Sequence, residues 1–315
     1  WSKSLYKSNW LTKNYDYTLI CKMKIFKKTI NRIKSNGFIW IYRSLLYRFH
    51  KYFVINRSYN SVGFLRSWSD NGTYIKVVRE FIINEKKFNK FKRNQFYQNI
   101  LEHVSYAQGE DYLKIINVDN KNLINDINEY KFNDLIGSPI KYKYPKIGEI
   151  SPTTLRYLKV ASDIKKYFKN IGYNFVEIGG GYGGQYLILD KIFDITSYTI
   201  LDLSDVNKLI EKYVEQFVTN SFYKATTLNQ LDNKQPFDFI ISNYGFSELP
   251  RKLQKVYLNK VIKKSKRGYM TMNSGFIKTK SNDNLLIEDL KLHLPNLKII
   301  NEEPLTAKNN YILIW

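Results

Sequence analysis

One short stretch of this chain concentrates the features of a ligand-binding loop. Five glycines occupy positions 179 to 184, which is a third of the 15 glycines in the whole sequence. A backbone without side chains can approach a ligand closely and can adopt left-handed turns. An apolar run that ends in an acid, residues 175–177, leads directly into these glycines. The stretch is therefore predicted to be a buried strand that feeds a binding loop.

The glycine spacing matches two nucleotide-binding patterns at once. Gly179, Gly181 and Gly184 fit Gly-x-Gly-x-x-Gly, the pattern of dinucleotide-binding loops. Glu177, Gly179, Gly181 and Gly183 fit Glu-x-Gly-x-Gly-x-Gly, the pattern of enzymes that use S-adenosylmethionine (SAM). The glycines alone leave both alternatives open.

Two acidic residues bear on this choice: Glu177 favours SAM, and Asp202 supports nucleoside binding in general. Glu177 lies two residues before the first glycine, where its carboxylate can reach the cationic amino group of a methionine moiety and would repel a pyrophosphate. Asp202 ends the next predicted strand, where a carboxylate can bind both hydroxyls of a ribose, a feature shared with NAD-binding proteins. Each has a structural alternative, Glu177 as a cap of a neighbouring helix and Asp202 as a turn residue before Ser204.

The elements that must position these residues alternate between helix and strand from Ser151 onward. Ser151 is a candidate helix cap followed by Pro152, after which apolar residues recur at three- and four-residue steps, and Ser204 is a candidate cap for a later helix. A short connection between the last two predicted strands favours an antiparallel hairpin. The pattern predicts an α/β fold with a doubly wound, Rossmann-like parallel sheet and a C-terminal antiparallel hairpin. Strands are predicted at 173–178, 197–203, 222–228, 237–242, 268–273, 297–300 and 311–315.

The N-terminal part of the chain carries most of the net charge of +22. Residues 1–100 hold 21 of the 50 lysines and arginines and only 4 of the 28 acidic residues. Residues 1–150 are predicted to form a basic, mainly helical region, and residues 151–315 the SAM-binding domain. The basic region either binds an anionic partner, such as a nucleic acid or a membrane surface, or reflects the lysine-rich composition of the whole chain.

Individual features of the sequence bear on membrane spanning, metal binding and cellular location. Charges interrupt the apolar run 38–55, which favours a helix packed on the protein or lying on a membrane over a spanning helix. One cysteine, Cys21, and three widely separated histidines predict no metal site. The expected location is cytoplasmic, with peripheral attachment to the inner face of a membrane as an extension of that hypothesis.

Three segments resemble class I SAM-dependent methyltransferases, and more narrowly the sugar O-methyltransferases of bacterial polysaccharide biosynthesis. They are residues 177–185 (EIGGGYGGQ), 198–203 (YTILDL) and 242–249 (SNYGFSEL), with 153–158 (TTLRYL) upstream. The resemblance covers about residues 151–315 and implies SAM as the cofactor and a sugar or glycan hydroxyl as the acceptor. The residues predicted to bind the cofactor are Glu177, Gly179, Gly180, Gly181, Tyr182, Gly183, Gln185, Asp202, Leu203, Asn243, Tyr244 and Arg156.

The acceptor and the base are predicted from the segment that follows the fourth strand of this domain. Ser242-Asn243-Tyr244 lacks the proline pair of adenine-amine methyltransferases, which argues against an exocyclic amine as the acceptor and leaves other nucleic-acid targets open. A hydroxyl needs a general base, for which Glu248 and His103 are the candidates, although Glu248 also suits a helix start and a lone histidine is often structural. Arg156 is expected either to pair with the methionine carboxylate or to anchor the N-terminal region by a salt bridge.

Three other functions compete with the sugar O-methyltransferase hypothesis. The basic N-terminal part favours an RNA-directed SAM-dependent methyltransferase. The glycine spacing permits an NAD-binding oxidoreductase. A nucleotide fold that serves only as a non-catalytic interaction module is the third alternative.

Overall fold

The computed structural model describes residues 72–232, 236–276 and 284–315, which belong to one compact unit. The basic residues before position 72 and the apolar run 38–55 lie outside the described residues, so the hypotheses about them stay predictions. In the part of the chain that the structure describes, no helix combines the length and the apolar character needed to cross a membrane.

The described N-terminal part is mainly helical and contains one small sheet. Short 3₁₀ turns at Phe91–Arg93 and Ile127–Asp134 connect its helices. The helices are α1 (Gly72–Ile83), α2 (Glu85–Phe88), α3 (Gln95–Ile100), α4 (Tyr106–Asp119) and α5 (Lys121–Asn125). Two antiparallel strands follow, β1 (Tyr142–Tyr144) and β2 (Gly148–Ile150).

From Ser151 the chain alternates between helix and strand, as its periodicity predicts. Ser151 caps the first helix by accepting a hydrogen bond from the Thr153 amide (3.2 Å), and Pro152 occupies its first position. The elements are α6 (Pro152–Tyr167), β3 (Asn174–Ile178), α7 (Gly184–Ile192), β4 (Ser197–Leu201), α8 (Ser204–Val214), β5 (Phe222–Thr226), β6 (Phe237–Asn243), α9 (Arg251–Lys260), β7 (Ser265–Met272), α10 (Ile287–Lys291), β8 (Lys298–Asn301) and β9 (Tyr311–Ile314).

The seven-stranded sheet has the order β5-β4-β3-β6-β7-β9-β8. The first five strands in this order are parallel, and β9 runs antiparallel to both β7 and β8. This confirms the predicted Rossmann-like fold with its antiparallel C-terminal pair. The strand order changes direction at β3 and β6, and ligands of such sheets bind outside the carboxyl ends of the strands at this switch point.

The central strands β3, β6 and β7 are buried on both faces, which explains their mostly apolar sequences, whereas the edge strands β5 and β8 are partly exposed. Phe175, Phe239 and Ile240 on the central strands are completely buried. Two details differ from the sequence prediction. Strand β7 begins at Ser265, before its apolar core, because the polar residues Ser265 and Arg267 already pair with β6. Ser204 does not cap α8: the cap residue is Leu203, and no side chain caps that helix end.

The N-terminal helices pack directly on the sheet domain. Helix α1 lies against α8, where Arg79 Nη2 contacts Asp205 Oδ2 at 2.9 Å and Lys212 Nζ donates to the Ile82 carbonyl at 2.9 Å. Helix α4 packs against α6. The segment between α3 and α4, residues 101–105, thereby comes next to the glycine loop.

Candidate cofactor site

The loop between β3 and α7 has the backbone that its glycines predict. Gly179, Gly181 and Gly183 all have φ between 62° and 87°, the left-handed region that other residues rarely adopt. The Gly179 amide donates to the Leu201 carbonyl at the end of β4 (3.0 Å), and the Gly183 amide donates to Gly180 (2.9 Å). The loop therefore folds tightly against the carboxyl ends of two neighbouring strands and leads into the N-terminus of α7.

Gly184 is required for a different reason, which is packing. A Cβ atom at this position would lie 2.5 Å from Tyr182 Cε2 and 2.7 Å from Tyr157 Cε2. Tyr182 itself is completely buried, with its ring over the ammonium of Lys92, 4.3 Å from Nζ to the centroid. The side chain of Tyr182 therefore holds the loop in place from below, and its backbone is the part available to a ligand.

Lys92 is a buried cation beneath the loop. Its Nζ donates to the Asn133 carbonyl (2.6 Å) and to the Tyr213 hydroxyl (3.0 Å) and lies 4.7 Å from the centre of the Tyr213 ring. Burial lowers the pKa of Lys92 to about 8. This residue precedes the sheet domain by some distance in sequence and ties the helical part of the chain to the binding loop.

The structure brings Asp202 to the glycine loop. Its Oδ2 accepts from the Gly181 amide (3.2 Å), and its Oδ1 accepts from the Leu203 amide (2.8 Å). Burial raises the pKa of Asp202 to about 6, and the backbone amides oppose that rise. Leu203 beside it is 40% exposed, so an acid and an exposed apolar side chain stand together at the loop.

Glu177 is a buried carboxyl group that already has a hydrogen-bond partner within the protein. It is 1% exposed, and its Oε2 accepts from the Tyr198 hydroxyl at 2.9 Å. Burial raises the pKa of Glu177 to about 8, the Tyr198 hydrogen bond opposes this rise, and the nearby Asp202 adds to it. A carboxyl that is neutral near pH 7 supplies little charge, so its predicted contact with an ammonium stays a prediction.

Gln185 and Asn243 connect the loop helix to β6. Asn243 Nδ2 donates to Gln185 Oε1 (3.2 Å), and Gln185 Nε2 donates to the Tyr157 carbonyl (3.3 Å). Asn243 Oδ1 also accepts from the Thr271 hydroxyl on β7 (3.3 Å). The two predicted site residues are thus neighbours at the carboxyl edge of the sheet.

Tyr244, directly after β6, has a left-handed backbone with φ of 65°. Such strain in a residue other than glycine is often associated with function. Its hydroxyl hydrogen-bonds to Glu302, contacts Thr306 Oγ1 at 3.1 Å and accepts from Asn310 Nδ2 at 3.3 Å. The connection between β8 and β9 therefore reaches the end of β6, a proximity that no sequence signal reveals.

The remaining predicted residues lie around this edge. Arg156 Nη2 donates to the Leu101 carbonyl at 3.1 Å, so it anchors the N-terminal part through a backbone carbonyl instead of a salt bridge. Its predicted pairing with a methionine carboxylate stays a prediction. Glu248 is exposed, with Asn273 Nδ2 3.4 Å from its Oε1, and His103 is exposed between α3 and α4. Their roles as general bases likewise stay predictions.

Sequence reasoning missed a set of buried polar atoms beside the loop. Tyr97 OH, Glu102 Oε1 and Asn207 Oδ1 are buried and have no hydrogen-bond partner among the described residues. Asn207 Nδ2 donates to the Asp202 carbonyl (3.2 Å). Burial raises the pKa of Tyr97, and the charges of Glu102 and Asp202 add to that rise. Asn207 thus contacts Asp202 directly, and buried polar atoms of this kind call for a partner.

Comparison with known proteins gives a likeness of fold. No protein-family model matches the sequence, and no curated protein matches it significantly. Similar solved structures include magnesium protoporphyrin IX methyltransferase from Synechocystis PCC 6803 with bound S-adenosylhomocysteine (SAH), at 12% identity and a TM-score of 0.39 over 50% of this chain and 80% of that one. The N-methyltransferase NodS from Bradyrhizobium japonicum WM9, in complex with SAH, shares 14% identity, with a TM-score of 0.39 over 50% and 83% of the two chains.

An O-methyltransferase family 2 protein from Planctomyces limnophilus DSM 3776, in complex with apigenin, is similar at 12% identity. Its TM-score is 0.36, over 50% of this chain and 57% of that one. Likeness at this level extends over about half of the chain and identifies no substrate.

Proposed function

We propose that this chain is a SAM-dependent methyltransferase that methylates a hydroxyl of a sugar or glycan intermediate. The observation that carries the proposal is the pairing of the left-handed glycine loop with Asp202. Both lie at the carboxyl ends of adjacent parallel strands, β3 and β4, where this class of sheet binds nucleotides.

The residues around the loop fit the parts of SAM. Asp202 is a half-buried carboxylate that can accept hydrogen bonds from two ribose hydroxyls, and exposed Leu203 offers an apolar surface to a base. Gly179, Gly180, Gly181 and Gly183 carry no side chains of their own, so their backbone can approach the methionine half closely. When bound, SAM would supply an activated methyl group, and the chain's own residues bind and orient it.

A dinucleotide suits the same residues less well. A pyrophosphate at a glycine-rich loop needs free backbone amides. Here the Gly181 amide donates to Asp202 Oδ2, so the pyrophosphate would meet a carboxylate at the amide that it requires. This arrangement favours SAM over NAD as the ligand.

The end of β6 supports a hydroxyl-rich acceptor. Tyr244, Glu302, Thr306 and Asn310 place hydroxyl, carboxylate and amide groups together there, and such groups exchange hydrogen bonds with sugar hydroxyls. The acceptor hydroxyl must lose a proton during transfer, for which Glu248 and His103 remain the proposed bases. The transfer also needs the hydroxyl to approach the methyl group in line.

Calorimetry with SAM, SAH and NAD tests the cofactor. The wild-type protein should bind SAM and SAH and not NAD. Asp202→Ala should weaken SAM binding about tenfold or more, because it removes charge-assisted hydrogen bonds to the ribose. Glu215→Gln, at an exposed acid, is the matched control and should bind as the wild type does. A folded wild-type protein that binds no SAM would overturn the proposal.

Transfer of a radiolabelled methyl group from SAM tests the acceptor. Sugar nucleotides and glycan extracts should be labelled, and the label should be stable to alkali as an ether is. Labelled RNA in place of glycan would instead support the RNA-directed alternative, which rests on the excess of basic residues in positions 1–100.

A further inference from the structure

Glu102 carries the most informative of the unpartnered atoms. Its Oε2 accepts from the Thr153 hydroxyl at 2.8 Å, which fixes the carboxylate, while its Oε1 is buried without a hydrogen-bond partner among the described residues. Leaving a buried carboxylate oxygen without a partner is energetically costly. The structure therefore holds an acceptor in one orientation with its second oxygen unused.

The cations near Glu102 are already engaged elsewhere. Lys92 donates to Asn133 and Tyr213, and Arg156 donates to the Leu101 carbonyl. Burial raises the pKa of Glu102, and the charges of Lys92 and Arg156 oppose that rise. Glu102 thus feels positive charge at a distance but has no direct donor on its free oxygen.

Glu102 also stands beside the glycine loop. A Cβ atom on Gly181 would lie 3.1 Å from Leu101 Cδ1, so the residue before Glu102 touches the part of the loop that a ligand approaches. Burial raises the pKa of Tyr182 on that loop, and the charge of Glu102 adds to the rise. The segment after α3 therefore forms a wall of the cofactor site.

We propose that Glu102 binds the α-ammonium group of the methionine half of SAM through its free oxygen Oε1. An ammonium is the complementary ligand because it brings both N–H donors and the opposite charge. The assignment rests on the proposed function and gives the N-terminal part of the chain a direct role in cofactor recognition. It also differs from the sequence prediction for Glu177, whose carboxyl hydrogen-bonds to Tyr198.

Two ligands that differ only in the amino-acid half provide the test. SAH carries the α-ammonium, and 5′-methylthioadenosine keeps the nucleoside and the sulfur but lacks the amino-acid half. Glu102→Gln should weaken SAH binding about tenfold in calorimetry, because a charge-assisted hydrogen bond becomes a neutral one. Binding of 5′-methylthioadenosine should change less than about twofold.

Two further variants keep the test decisive. Glu102→Asp retains the charge but withdraws the carboxylate by one methylene, and it should also weaken SAH selectively, which covers the case in which the glutamine variant does not fold. Glu149→Gln, at an exposed acid on β2, is the matched control.

Each outcome decides the matter. Unchanged SAH affinity in folded Glu102 variants, or equal losses for both ligands, would overturn the assignment. If the wild-type protein binds neither ligand, the proposed function itself fails.

Discussion

Replacing Glu177 by glutamine should make the protein more stable in alkaline solution. Glu177 is buried beneath the glycine loop, and burial raises its pKa from 4.5 to about 8. Below pH 4.5 the carboxyl is protonated in both folded and unfolded chains. Between pH 4.5 and 8 only the unfolded chain ionises freely, so the wild-type protein loses stability as the pH rises through this window.

The size of the effect follows from the two pKa values. Each pH unit between them is worth about 1.4 kcal/mol, so the wild-type protein should lose on the order of 5 kcal/mol between pH 4.5 and 8. Glutamine does not titrate and can still accept the Tyr198 hydrogen bond. The variant should therefore avoid this loss. The Tm of the variant minus that of the wild type should be roughly 10 °C larger at pH 8.5 than at pH 5.

The assay is thermal unfolding of both proteins from pH 4.5 to 9. The quantity of interest is the difference in Tm between variant and wild type, which should rise with pH and level off above pH 8. Any constant cost of placing an amide in the core cancels in this comparison. Glu215→Gln, which makes the same change of acid to amide at an exposed position, is the matched control.

A difference that stays flat from pH 4.5 to 9 would refute the reasoning. It would mean that Glu177 ionises in the folded protein as readily as in the unfolded chain. In that case a charged Glu177 would again be available to an ammonium, as the sequence alone predicts.

Two other substitutions test the support of the loop. Gly184→Ala should lower the unfolding free energy by about 1–3 kcal/mol and weaken SAH binding, because the new methyl group would press on Tyr182. Gly72→Ala is the control, since the space around Gly72 is open, and it should lower neither the unfolding free energy nor the affinity for SAH. Lys92→Met should lower the unfolding free energy by about 1–3 kcal/mol in urea titrations, because it removes the hydrogen bond to Asn133 and the cation over the Tyr182 ring. Unchanged stability in the Lys92 variant would contradict the role given to this cation.

Much of the sheet could be predicted from local patterns. Short apolar runs bounded by turn residues predict the strands, and the short link between the last two strands predicts their antiparallel pairing, which β8 and β9 confirm. The glycine loop could be predicted because the glycines that allow its left-handed backbone are neighbours in the sequence. The position of β9 between β7 and β8 was not predicted, because strand order depends on contacts that no local pattern encodes.

The walls of the site could not be predicted for the same reason. Leu101 and Glu102 are far from the glycine loop in sequence, and only the packing of the N-terminal helices brings Leu101 against Gly181. Glu302 reaches Tyr244 through the connection between two C-terminal strands. A lone acid in a polar stretch looks like a surface residue until its burial is known, so neither glutamate carried a signal.

The buried Lys92 has a consequence for engineering. Phe91 and Lys92 cover the rings of Tyr182 and Tyr213. The centroid of the Phe91 ring lies 5.4 Å from that of Tyr182 and 5.9 Å from that of Tyr213. A fragment that begins at residue 151 would leave these rings open to water and prone to aggregate. Chimaeras that exchange the N-terminal part to alter acceptor choice would therefore need to carry this phenylalanine and lysine with the graft.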